Sequence, residues 1–113
     1  VARQERPVLT VTATEDGSAS VLLVAGELDL GTASALRDAL LGLLDRDPVP
    51  DVVLDASAVT FADSSGLGVL LMGARRWAAE RRSFALQAPS PPLARLLDLA
   101  GVRRAFSVVE DGP

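Results

Sequence analysis

From residue 20 onward, short apolar runs of strand character alternate with segments whose apolar residues recur at helical spacing. This alternation restricts the chain more than any other feature, because strands joined through helices become parallel neighbours linked by βαβ crossovers. The strand runs are residues 20–25, 51–55, 83–87 and 105–109. Helices are predicted from a Thr32 cap to about Leu44, from Ser65 to about Glu80, and from Ser90-Pro91-Pro92 to a Gly101 cap. In the first helix Ala33, Leu36, Leu40, Leu43 and Leu44 form one apolar stripe, and Pro48 and Pro50 end the segment. The second is apolar on several sides near its start, the pattern of a helix buried on more than one face. Leu93, Leu96, Leu97 and Ala100 make the inner stripe of the third.

Ahead of this pattern, residues 8–13 are rich in Val and Thr, and Glu15-Asp16-Gly17-Ser18 is a turn signal. These residues predict a hairpin with the run at 20–25. Gly26 to Gly31 is expected to break that strand, and Ala56 to Phe61 to form a loop. The expected fold is α/β: a mixed, mostly parallel β-sheet packed against α-helices, in the order β-β-α-β-α-β-α-β. Residues 1–7 are expected as a tail and 8–113 as a single domain.

Composition excludes several chemistries. Cysteine, histidine and tyrosine are absent and every basic residue is Arg. Thiol chemistry, a histidine general base and a phosphate-binding or Schiff-base lysine are therefore unavailable. No metal or cofactor is expected, and no catalytic residue. The net charge of −4 argues against direct nucleic-acid binding. The paired Arg residues, Arg75-Arg76, Arg81-Arg82 and Arg103-Arg104, read as solvated helix ends or, alternatively, as phosphate contacts. No apolar run nears the roughly 20 residues of a membrane span, and no export signal is visible, so the cytoplasm is the expected location with no membrane insertion.

The segment Asp63-Ser64-Ser65-Gly66-Leu67-Gly68 leads into the second helix. A helix N-terminus favours a negative group, so a phosphate on Ser64 or Ser65 has a suitable place there. The plainer reading is that Ser64 caps the helix and that the glycines permit close packing. Serine nucleophilic catalysis fits poorly, since no His or Lys base exists. Asp29 and Asp63 read either as loop solvation and capping or as members of a site. Trp77 reads as a core residue or as an interface anchor.

The DSSGLG segment resembles the phospho-acceptor motif of the anti-sigma factor antagonists, in the STAS class. Gly26-Glu27-Leu28-Asp29 with Thr32-Ala33 resembles that family's second-strand signature, and Pro89 to Gly101 its third helix and cap. The resemblance runs over about residues 8–109 and implies a STAS-type fold. It implies that Ser64 is phosphorylated, and that Glu27, Asp29, Thr32, Asp63, Ser65, Gly66 and Leu67 meet the partner. That partner would be an anti-sigma factor with serine-kinase activity, bound while Ser64 is unmodified, with a phosphatase resetting the switch. The implied alternative is a STAS-type scaffold or lipid-transport accessory subunit that binds without phosphorylation. Family members often carry a further C-terminal helix, whereas this sequence ends at Glu110-Asp111-Gly112-Pro113.

Overall fold

A computed structural model describes residues 9–109. The tail expected over 1–7, the first residue of the expected strand 8–13, and the polar end from Glu110 lie outside the described residues. The hairpin forms from β1 (Leu9–Asp16) and β2 (Ala19–Leu28), antiparallel, with Asp16 opposite Ala19. The alternation then follows as expected: α1 (Ala33–Leu44), β3 (Asp51–Ala62), α2 (Ser64–Ala79), β4 (Phe84–Gln87), α3 (Pro91–Ala100) and β5 (Ser107–Val109). A single 3-10 turn, Arg103–Ala105, precedes β5. The five strands lie in chain order, β1-β2-β3-β4-β5, and every pair after the hairpin is parallel.

Strand order dictates where the helices go. Each parallel strand is beside the next in sequence, so all three crossovers step the same way across the sheet. With right-handed connections, the three helices fall on one face. Burial follows: Leu22 and Val24 of β2, Val52 and Leu54 of β3, and Phe84 and Leu86 of β4 are buried. They share one core with Leu36 and Leu40 of α1, Leu70 and Trp77 of α2, and Leu93 and Leu97 of α3. The alternate residues Val21, Leu23, Val53, Asp55, Ala85 and Gln87 line the opposite face and are half-buried or exposed.

Trp77 belongs to the core. It is fully buried, its indole N–H donates to the Pro50 carbonyl at 2.8 Å, and its ring meets Phe84 with centroids 5.5 Å apart. The Arg pair at 75 and 76 is exposed near the end of α2, consistent with a solvated helix end. No helix among the described residues is long and apolar enough to cross a membrane.

Three expectations are corrected. The segment 56–61 is strand, because β3 continues to Ala62. Leu23 pairs with Asp55 but Ala25 with Ala58, and Gly26 with Val59 but Glu27 with Phe61. Two extra residues therefore bulge from β3, shift its inward phase, and hide the period-two pattern. Gly26 does not end β2 either. It takes φ +113°, a conformation open to a residue without Cβ, and the strand runs on to Leu28. Ala100 of α3 is exposed, leaving Leu93 and Leu97 as that helix's buried residues.

The packing of α3 gives a direct test. Leu97 is fully buried while Leu99, two residues on, is 79% exposed. Leu97→Ala should lower stability by about 2–5 kcal/mol, and Leu99→Ala should stay within about 0.5 kcal/mol of the parent. Urea unfolding of both variants checks the contrast, and equal losses would place the core elsewhere.

Candidate functional site

The strands β2 and β3 run parallel and finish at the same edge of the sheet, with Glu27 beside Phe61 and Leu28 beside Ala62. The next residue of the β3 segment, Asp63, ties this edge together. Its backbone N–H donates to the Leu28 carbonyl at 3.2 Å. Its Oδ1 accepts from the backbone N–H groups of Ser65 at 2.8 Å and Gly66 at 3.2 Å, which makes Asp63 the N-cap of α2. Its Oδ2 accepts from the backbone N–H of Leu30 at 3.3 Å. One carboxylate thus joins the start of α2 to the loop between β2 and α1.

That loop is fixed from its other side by Thr32. The Thr32 hydroxyl donates to the Glu27 carbonyl at 2.7 Å and accepts from the Asp29 N–H at 2.9 Å. Asp29 Oδ1 accepts from the Gly31 N–H at 3.0 Å, and the Asp29 carbonyl accepts from Ala33 N–H at 2.8 Å. The contact between the two segments leaves no room at Gly66, where a Cβ would lie 2.6 Å from the Leu28 carbonyl oxygen. Glycine is required there by close approach of backbone to backbone.

These bonds revise the local reading in several places. The helix α2 begins at Ser64, one residue earlier than expected, and Asp63 caps it instead of Ser64. Two of the N-terminal N–H groups are already taken by that carboxylate, so they are not free to receive a phosphate. Thr32 stands at the cap of α1 but makes no side-chain cap bond, since its hydroxyl turns back to the strand. Ser90 likewise makes no cap bond; its backbone N–H donates to the Ala56 carbonyl at 3.2 Å, tying α3 to β3.

The structure brings the expected site residues to one edge but does not expose all of them. Ser64 is exposed, and Glu27, Asp29, Asp63 and Ser65 are half-buried. Thr32, Gly66 and Leu67, expected with them, are buried in the chain itself and shape the edge from beneath. A hollow of about 440 Å³ is lined by Glu27, Asp29, Leu30, Gly31, Thr32, Phe61 and Asp63. Three of those residues are acidic and none is basic. Leu30, 80% exposed, and Phe61, 49% exposed, were missed in the sequence. Both lie in segments that the sequence reads as breaking or looping, and only the fold shows that they are displayed together at this edge. Among the described residues no group of three or more acidic side chains is placed to hold a metal ion.

Comparison with known proteins adds to this geometry. A protein-family profile described as "Mlab, STAS domain" matches residues 11–110. The anti-sigma-F factor antagonist RsfB of Mycobacterium tuberculosis is 32% identical over 98 residues, spanning 87% of this chain and 79% of its own. The anti-sigma-B factor antagonist of Bacillus subtilis is 31% identical over 85 residues, spanning 75% of this chain and 76% of its own. A crystal structure of an anti-sigma factor antagonist from Mycobacterium paratuberculosis superposes with a TM-score of 0.80 at 31% identity, over 95% of this chain and 90% of that one.

The capping role of Asp63 is testable by stability. Asp63→Ala should cost about 0.5–2 kcal/mol, while Asp63→Asn, which keeps an acceptor, should lose markedly less. Chemical denaturation distinguishes the two, and an unchanged midpoint in Asp63→Ala would remove Asp63 from its central position.

Proposed function

The chain belongs to the STAS domain family, and from that premise we propose that it is an anti-sigma factor antagonist switched by phosphorylation of Ser64. In the unmodified state the edge bearing Glu27, Asp29, Asp63 and Ser64 binds an anti-sigma factor with serine-kinase activity, and a sigma factor is released. The kinase then transfers the γ-phosphoryl group of ATP. The Ser64 Oγ–P bond forms, the bond to the β-phosphate oxygen breaks, and the hydroxyl proton passes to a base of the kinase. This chain supplies the acceptor and the docking surface, not catalysis.

The observation that carries the reading is the setting of Ser64. It is exposed at the first position of α2, directly after a carboxylate that already fills the helix N-terminus. A dianionic phosphate there has no vacant internal N–H pair beside Asp63 to absorb it, so its charge remains at the surface, next to another negative group. In the complex it faces the nucleoside diphosphate left in the kinase. Like charges in a partly desolvated interface disfavour the complex. A loss of about 3 kcal/mol weakens binding roughly 150-fold. No rearrangement of the core is needed, because the charge arises at the contact itself. A phosphatase acting on the phosphoserine restores binding. A partner that sequesters sigma factor places this action in the cytoplasm.

A second reading is a STAS-type scaffold or lipid-transport accessory subunit that binds its partner without phosphorylation. It fits the matching family profile, whose description names a STAS domain and no sigma-factor regulation.

Incubation with purified serine-kinase-fold anti-sigma factors of the source organism and ATP, followed by mass spectrometry, separates the readings. Phosphate should appear on Ser64 and be absent from Ser64→Ala. The phosphorylated protein should bind about 150-fold more weakly by calorimetry. Phosphate on another residue, or equal binding of both forms, would reject the switch and leave the scaffold reading.

A further inference from the structure

Resting on the reading above, we infer that Leu30 and Phe61 are paired apolar anchors that seat in the anti-sigma factor, on a surface whose rim is basic. Leu30 is 80% exposed, yet its backbone is not loose. Its N–H is held by Asp63 Oδ2, and the residues on either side are held by Asp29 and Thr32. A large apolar side chain displayed on a fixed backbone loses little further conformational freedom on binding, which favours affinity. Phe61 is equally distinctive. Of the three phenylalanines it is the exposed one, at 49%, whereas Phe84 and Phe106 are buried at 6% and 7%. No packing need explains it, since its place on the β2–β3 ladder beside Glu27 turns it away from the core.

The two side chains line the same hollow, and so do Glu27, Asp29 and Asp63. An apolar centre bordered by charge is the usual anatomy of a binding surface, with anchors enclosed by a polar rim. Here the border carries carboxylates alone among its ionisable groups, so the complementary surface carries Arg or Lys around an apolar recess. Among the described residues, no cation lines the hollow. The helix α2 starts at this edge and runs 16 residues, which puts Arg81 and Arg82 beyond its far end, about 24 Å away. Ser64 is next to the hollow but not among its lining residues. Anchoring and switching therefore occupy adjoining parts of one interface: the carboxylates pair with the partner's basic rim, while Ser64 faces the partner's nucleotide.

The test uses the full chain and the purified serine-kinase-fold anti-sigma factor that binds it most tightly, with affinity read by calorimetry. Leu30→Ala and Phe61→Ala should each weaken binding by about 30-fold, the scale of an interface hot spot. Leu99→Ala, an equally exposed leucine on α3, should not change it. The urea midpoint of Leu30→Ala should match the parent, since little buried surface is lost. Affinity of the parent should fall as NaCl is raised, and Glu27→Gln should flatten that dependence. Parent-like affinity in both anchor variants would overturn the proposal while leaving the phosphorylation switch intact. Affinity insensitive to salt would overturn the basic rim. A parent chain that dimerises through this edge, and is made monomeric by Leu30→Ala, would make a second copy the occupant and overturn it as well. If no such anti-sigma factor binds the parent chain, the underlying function fails and the inference falls with it.

Discussion

One carboxylate holds the edge of the candidate site in place. Asp63 ends the β3 segment, caps α2 through two backbone N–H groups, and reaches across to the Leu30 amide. Remove it and three separate pieces of chain lose their common point: the end of β2, the start of α2 and the loop into α1. Gly66 makes the arrangement possible, because any side chain at that position would collide with the Leu28 carbonyl. The edge is therefore built by backbone contacts with one polar side chain at the centre, and the exposed groups are mounted on it.

The same bonds explain how a surface can be both rigid and available. Thr32 and Asp29 use their polar atoms on the loop itself, so the loop is shaped before any partner arrives. The apolar side chains that this shaping displays are not recruited into the core, because the helices cover only the other face of the sheet. Among the described residues, no cation lines the hollow beside these acidic groups. In the functional reading, phosphate at Ser64 is added to a site whose helix N-terminus is already occupied, and that occupation turns the added charge outward.

The order of elements was legible in the sequence because each helix announces itself by period and punctuation. Gly101 takes the left-handed cap expected of it, at φ +70°, and Pro91 stands in the first turn of α3. What was not legible has a physical cause in each case. The second half of β3 was hidden by two bulges that move inward residues out of step, so Val59 follows Ala56 at a spacing that no regular strand has. The cap of α2 was misread by one residue because Asp63 and Ser64 are both good cap residues, and only the geometry selects between them. Glu27, Asp29 and Asp63, which the structure brings to one edge, were singled out from sequence motifs, whereas Leu30 and Phe61 were not. A sequence marks a residue as apolar, but the direction of its side chain depends on strand register and on loop bonds made 33 positions apart.

The sheet with helices on a single side carries its own consequence. Each strand holds two kinds of position, and they answer to different selection. Inward residues such as Leu22, Leu54 and Leu86 are enclosed by close-packed neighbours, so almost any change of volume there is felt. Outward residues such as Val21, Val53 and Ala85 need only suit the pleat and remain soluble. Substitution at the outward positions costs little, while the inward ones, including Val59 beyond the first β3 bulge, tolerate few changes. One whole side of this domain is therefore open to change without disturbing the candidate site's edge.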